Sequence, residues 1–225
     1  MGLQLPRWVW VGAVLLACVG GMVNVIGYLG FEHQAVSHLT GTTSLLGAAL
    51  AHGDWKAVAH LWGVLIAFCA GAMVSGMIIQ DSTLRLGRRY GVVLALESML
   101  LFAAVPLFWR EQIFGALLAA MACGLQNAMA TTYSGAVVRT THLSGMFTDL
   151  GIGLGHKLRG MALPVRRLTL SGLIISGFLG GGIIGAWLFS HIRYNALLAS
   201  AILTGVIGIG YVLYRHWTQA RNPVT

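Results

Sequence analysis

Val36-Ser37-His38-Leu39-Thr40-Gly41-Thr42-Thr43-Ser44-Leu45-Leu46-Gly47 and Thr140-Thr141-His142-Leu143-Ser144-Gly145-Met146-Phe147-Thr148-Asp149-Leu150-Gly151 are two versions of one segment. At an offset of 104 positions, His38 pairs with His142, Thr40 with Ser144, Gly41 with Gly145, Ser44 with Thr148, Gly47 with Gly151 and His52 with His156. The agreement extends outward. Gly21-Met22-Val23-Asn24 aligns with Gly124-Leu125-Gln126-Asn127, and Arg89-Tyr90 aligns with Arg193-Tyr194. Phe68-Cys69-Ala70-Gly71 aligns with Phe178-Leu179-Gly180-Gly181 once an insertion in the preceding loop is allowed, and a shorter following loop restores the offset. Several matches in order, with a compensated loop, read as an internal duplication. Repeat 1 covers about 8–109 and repeat 2 about 112–217, with the boundary near Arg110.

Composition decides the solvent. Of 225 residues 57% are hydrophobic and 9% charged, against about 25% charged in a soluble domain. The chain reads as an all-α membrane protein, a single transmembrane domain over 1–225. Apolar segments fall at about 8–29, 36–51, 57–80, 91–109, 112–133, 137–155, 168–190 and 194–214. The first is too long for a signal-peptide core and lacks a cleavage pattern, so it reads as a span. The net charge of +8 sits in short Lys/Arg clusters between apolar runs rather than on one basic face, which argues against nucleic acid as a partner. Cys18, Cys69 and Cys123 lie within apolar runs and show no metal-type spacing. No metal or other cofactor is expected.

Whether the motif segments cross the membrane decides how the repeats face. An odd number of spans per repeat inverts the second copy; an even number keeps it upright. Eight full spans put nine Lys/Arg on one face and five on the other. With the motif segments re-entrant, Lys56, Arg110 and Arg193 lie on one face and the other eleven of the 14 Lys/Arg lie opposite. The positive-inside rule favours the sharper division. The expected fold is therefore two inverted-topology repeats, each of three transmembrane helices plus one re-entrant or broken motif helix. Eight full spans is the alternative. Both termini are expected on the cytoplasmic side.

The paired motifs, His38-Leu39-Thr40-Gly41 with Ser44-Leu45-Leu46-Gly47, and Gly124-Leu125-Gln126-Asn127 with Arg139-Thr140-Thr141-His142-Leu143-Ser144-Gly145, resemble the YoaK-type family of bacterial transmembrane proteins of unknown function. The resemblance runs from about Ala17 to Gly210. It implies a bacterial cytoplasmic (inner) membrane location and supplies no activity.

Function has to come from the residues. Non-helical backbone at membrane depth survives only where protein buries it or a watery cavity wets it. Half-helices starting near Thr40 and Ser144 leave free N–H groups with positive dipole character. Thr40, Thr43, Ser144 and Thr148 are candidate capping or lining hydroxyls, and Gly41 and Gly145 allow close approach. In repeat-built transporters such paired, interrupted segments mark the substrate site. The bland reading is hydroxyls bonded to their own helix and glycines that only pack. His38 and His142 could bind solute, relay protons or simply fix the half-helices. Asn24 and Asn127 could bridge helices or line the site. Glu97 and Asp149 are the only acids well inside apolar segments and are candidates for proton coupling. A structural alternative is an ion pair with Arg139, which could instead face an anionic solute or reach the interface. Gly177, Gly181 and Gly185 share a helix face at four-residue spacing, a packing face within a subunit or in a homo-oligomer.

The leading expectation is a transporter or channel for a small solute, anionic or small and polar, with membrane lipid as its other partner. A structural or regulatory membrane protein is the alternative. Enzyme chemistry is not expected: His142 and Ser144 at i, i+2 diverge on a helix, and repeat 1 has Thr40 where repeat 2 has Ser144.

Overall fold

A computed structural model describes residues 7–30, 36–79, 89–133 and 140–221, and among them there is helix and no strand. The helices are α1 (Arg7–Gly30), α2 (Leu39–His52), α3 (Trp55–Ile79), α4 (Arg89–Trp109), α5 (Ile113–Tyr133), α6 (Leu143–Leu158), α7 (Val165–Ile192) and α8 (Leu197–Arg221). Five stretches are long and apolar enough to cross a membrane: Val9–Gly30, Trp55–Ile79, Arg89–Trp109, Ile113–Thr132 and Val165–Leu213. The last would be about 74 Å as one helix, more than twice a bilayer's apolar core. It is instead broken after Ile192, where Arg193 takes φ 52° and a 3₁₀ turn, Arg193–Ala196, leads into α8. The motif helices are not among the five. With 14 and 16 residues, α2 and α6 reach only about 21 and 24 Å.

Local chemistry explains the ends. α2 stops at Gly53, which takes the left-handed conformation and bonds back into the last turn. Asp54 then accepts from the Ala57 N–H at 3.1 Å and opens α3. The α4–α5 turn is closed by the Gln112 N–H on the Leu107 carbonyl. Pro164 precedes α7, where its missing N–H costs nothing.

Glycines set the packing. A methyl group at Gly21 of α1 would overlap the Phe178 carbonyl of α7, and one at Gly124 of α5 would overlap the Phe68 carbonyl of α3. A methyl at Gly71 of α3 would overlap Met121 of α5, and one at Gly181 of α7 would overlap Cys18 of α1. Residues paired by the duplication thus make paired contacts: α1 lies on α7 as α5 lies on α3. Such approach lets backbones touch where lipid removes any hydrophobic drive between helices. Gly177, Gly181 and Gly185 meet Val14, Cys18 and Met22 in that order, so α1 and α7 run parallel. Of the two settings expected for it, the glycine face of α7 takes the first: it packs on α1 of the same chain.

The helix ends fix directions. Tyr194 donates to the Gly30 carbonyl, stacks on Phe108 (centroids 5.3 Å) and sits edge-on to Phe189 and Trp109. Gly115 abuts Phe108. The ends of α1, α4 and α7 therefore meet the starts of α5 and α8. At the other end, Val9, Ile79, Tyr90, Ala130 and Leu170 share one core, bringing the starts of α1, α4 and α7 to the ends of α3 and α5. So α1, α4 and α7 point one way; α3, α5 and α8 point the other.

Candidate functional site

Each motif helix begins beside the middle of a long helix. Ser37 gives both its N–H (3.2 Å) and its hydroxyl (2.8 Å) to the side-chain amide oxygen of Asn24 in α1. Thr140 gives its hydroxyl to the Gln126 amide oxygen of α5 at 3.3 Å. These bonds hold the entry turns of α2 and α6 well inside the ends of α1 and α5.

The next residue decides the shape of the site. His38 and His142 are the N-cap residues, with matching backbone angles (φ −95°, ψ 68° and φ −96°, ψ 59°), and neither side chain caps its helix. The imidazoles instead fold over the first turn. A methyl at Gly41 would lie 2.6 Å from His38 Nδ1, and one at Gly145 would lie 2.7 Å from His142 Nδ1. The motif glycines therefore make room for the chain's own histidine, where the sequence suggested room for a ligand. First-turn N–H groups of both helices are left without a side-chain cap.

Both entry turns line one cavity of about 440 Å³. From repeat 1 come Asn24, Ser37, His38, Leu39, Thr40 and Phe68; from repeat 2, Asn127, Thr131, Thr141, His142, Leu143, Ser144 and Phe178. Of the expected site residues, Asn24, Asn127, His38, His142, Thr40 and Ser144 are brought together here. Four are not. Gly41 and Gly145 lie under the imidazoles. Thr43 and Thr148 are exposed about one turn further along their helices, where their hydroxyls bond back to the Leu39 (2.8 Å) and Ser144 (3.0 Å) carbonyls. Phe68 and Phe178 were not anticipated as lining residues, although the repeat alignment pairs them. Asn127 keeps its buried amide oxygen unpartnered. Among the described lining residues there is no Lys, Arg, Asp or Glu.

The charged candidates lie elsewhere. Asp149 forms a bidentate pair with Arg167 of α7, at 2.9 and 3.0 Å, and Arg167 is two-thirds exposed. The alternative pairing with Arg139 falls on a residue outside the described ones. An exposed pair of this kind contributes about 0–1 kcal/mol, so Arg167→Ala is expected to shift the thermal midpoint by no more than a few degrees; differential scanning fluorimetry reads it directly. Glu97 is 2% exposed, deep between α4, α5 and α8. It does not line the cavity, but Gln126 Nε2 donates to its Oε1 at 3.0 Å. No group of three or more candidate metal ligands occurs among the described residues.

Residues 12–210 match the family model described as "Protein of unknown function (DUF1275)". The chain belongs to the DUF1275 family. The chain is also similar to the "UPF0700 transmembrane protein YoaK" of Bacillus subtilis (strain 168), 28% identical over 141 residues. That match takes in 60% of this chain and 63% of the relative's length. No solved structure matches. The transmembrane relative and the apolar helices of this chain agree on a multi-pass membrane protein. This DUF1275 member places its duplicated motifs on one cavity, and that geometry is where a functional reading has to begin.

Proposed function

We propose that this DUF1275 protein is a transporter or channel for a small polar or anionic solute, built from two inverted repeats whose motif helices α2 and α6 are re-entrant. The carrying observation is the shared cavity, lined by equivalent residues of both repeats. Its volume exceeds that of a water molecule, about 30 Å³, by enough for a solute of several heavy atoms. Its polar wall offers both donors and acceptors: two histidines, two asparagines, hydroxyls, and two helix starts whose first-turn N–H groups lack a side-chain cap. Such a wall suits a small polar solute, and the helix starts favour one with acceptor atoms.

The inverted reading is supported by the helix directions. α1 and α5, equivalent in sequence, are antiparallel, as are α3 and α7, and α4 and α8. Because α1 ends and α3 begins at the same membrane face, α2 has to return to the face it left. The same holds for α6 between α5 and α7 on the opposite face. Positive-inside counting then assigns both termini to the cytoplasmic side of the cytoplasmic membrane.

The test is solute flux. Proteoliposomes challenged with potassium formate, potassium nitrate or urea, with and without an imposed proton gradient, are expected to swell faster than empty liposomes for at least one probe. Removing both imidazoles (His38→Leu with His142→Leu) should lower the protein-dependent part of that rate by about tenfold. Equal swelling with and without protein, for every probe and gradient, contradicts the reading.

A further inference from the structure

Glu97 is the one acidic or basic side chain buried in the core among the described residues. A carboxyl at membrane depth is costly, and a packed apolar side chain would give more stability. Its neighbours show what it can do. Oε1 accepts from Gln126 Nε2 at 3.0 Å, and Gln126 Oε1 accepts from the Thr140 hydroxyl at 3.3 Å. Thr140 is fully buried and is followed directly by Thr141 and His142, which line the cavity. One continuous polar chain thus runs from a buried carboxyl to the entry turn of α6. Repeat 1 has no such chain: Asn24 takes Ser37 directly, and Ala201 is the repeat counterpart of Glu97. On the far side of the carboxyl, Glu97 Oε2 and the Thr204 hydroxyl of α8 are both fully buried, with Thr204 within reach of the carboxyl. Thr204 of α8 faces the carboxyl, as do Gln126 and the Cys123 thiol of α5, and among the described residues no charged side chain acts on it.

We propose that Glu97 is a proton-binding site that controls, through Gln126 and Thr140, how firmly the second motif is held at the cavity. It rests on the transport reading for its purpose: protonation would act on the His142 half of the site and leave the His38 half unchanged. The proton, taken from water, sits on Oε2 and is donated to Thr204 Oγ1, while Oε1 keeps Gln126. When the proton returns to water, Thr204 turns its hydroxyl to donate to Oε2. The Gln126 bond becomes charge-assisted, roughly twice as strong as a neutral one. The polarised amide then accepts more strongly from Thr140, and the entry turn is clamped.

The relay can be read without any solute. In a chain with Cys18, Cys69 and Cys123 changed to alanine, single reporters Thr141→Cys and Thr40→Cys are labelled in proteoliposomes with a hydrophilic maleimide. The ratio of the two rates cancels thiol ionisation and reagent chemistry. That ratio is expected to rise at least about threefold from the alkaline to the acid end of the range. Glu97→Gln should flatten it near the acid value, and Gln126→Leu should also flatten it. A flat ratio in the parent chain, or a slope that survives Glu97→Gln, overturns the proposal. If Glu97→Gln does not fold, a slope surviving Gln126→Leu does the same. A protein that carries no solute yet shows this slope overturns the transport reading and leaves the proton site standing.

Discussion

Gly124→Val is expected to destabilise the protein by about 3 kcal/mol or more, among the largest effects of any single substitution outside the cavity. The new branched side chain would overlap the Phe68 carbonyl and sit 3.1 Å from the Ala72 N. These are backbone atoms of α3, so no rotamer change relieves the overlap. Only separation of α3 from α5 does, and that contact is what holds the third helix of repeat 1 to the first helix of repeat 2. For a chain of this size the midpoint should fall by about 10 °C, or the protein should fail to elute as a single species. Gly181→Val is expected to behave alike because Cys18 backbone stands in the same relation to it. Gly151→Ala is the contrast: nothing lies within 4 Å of the added methyl, and alanine is the better helix former by about 1 kcal/mol. Its midpoint should hold or rise.

The second large effect falls on flux rather than stability. Gly41→Ala with Gly145→Ala puts a methyl within 2.6–2.7 Å of each imidazole Nδ1, so both rings have to swing away from their helix starts. If those rings and the uncovered first-turn N–H groups hold the solute, flux is expected to fall at least about tenfold, a loss of roughly 1.4 kcal/mol at the barrier. The rings are side chains and can move, so the midpoint should change little. A double-mutant comparison separates cause from accident. In a background of His38→Ala with His142→Ala the clash no longer exists, and the glycine changes should then have almost no further effect on flux. A tenfold loss that persists there would mean the glycines act on the solute directly.

How much of this was readable beforehand follows from which interactions are local. The duplication and its motifs stand out because His, Thr, Ser and Asn are conspicuous against an apolar background, and a fixed offset repeats them. Which motif hydroxyls line the cavity is a matter of position along the helix. Thr43 and Thr148, three and four residues beyond Thr40 and Ser144, share roughly the same helix face but stand about one turn, ~5 Å, further from the entry turn, and their hydroxyls bond back to their own helix. Nothing in the spacing tells how far along the motif helix the cavity reaches. The partner of Asp149 was missed for a similar reason. Arg167 comes from the next helix, across a loop whose path the sequence does not fix. The glycine stripe of α7 was legible as a packing face, but that α1 fills it depends on the order of helices in the bundle. The Glu97–Gln126 pair was legible in principle. The α4–α5 turn at Arg110–Gln112 makes an antiparallel hairpin, and positions equidistant from it face each other, as Phe108 meets Gly115.

The inverted arrangement is the claim on which the cavity's symmetry depends, and sided cysteine labelling tests it most directly. In a background free of Cys18, Cys69 and Cys123, Lys56→Cys follows the end of α2 and Lys157→Cys sits at the end of α6. With α2 and α6 re-entrant in opposite senses, a membrane-impermeant maleimide added outside intact cells labels the first reporter, and the second reacts only after the membrane is opened. Eight full spans put the two positions on the same face, so labelling of both from one side would contradict the arrangement.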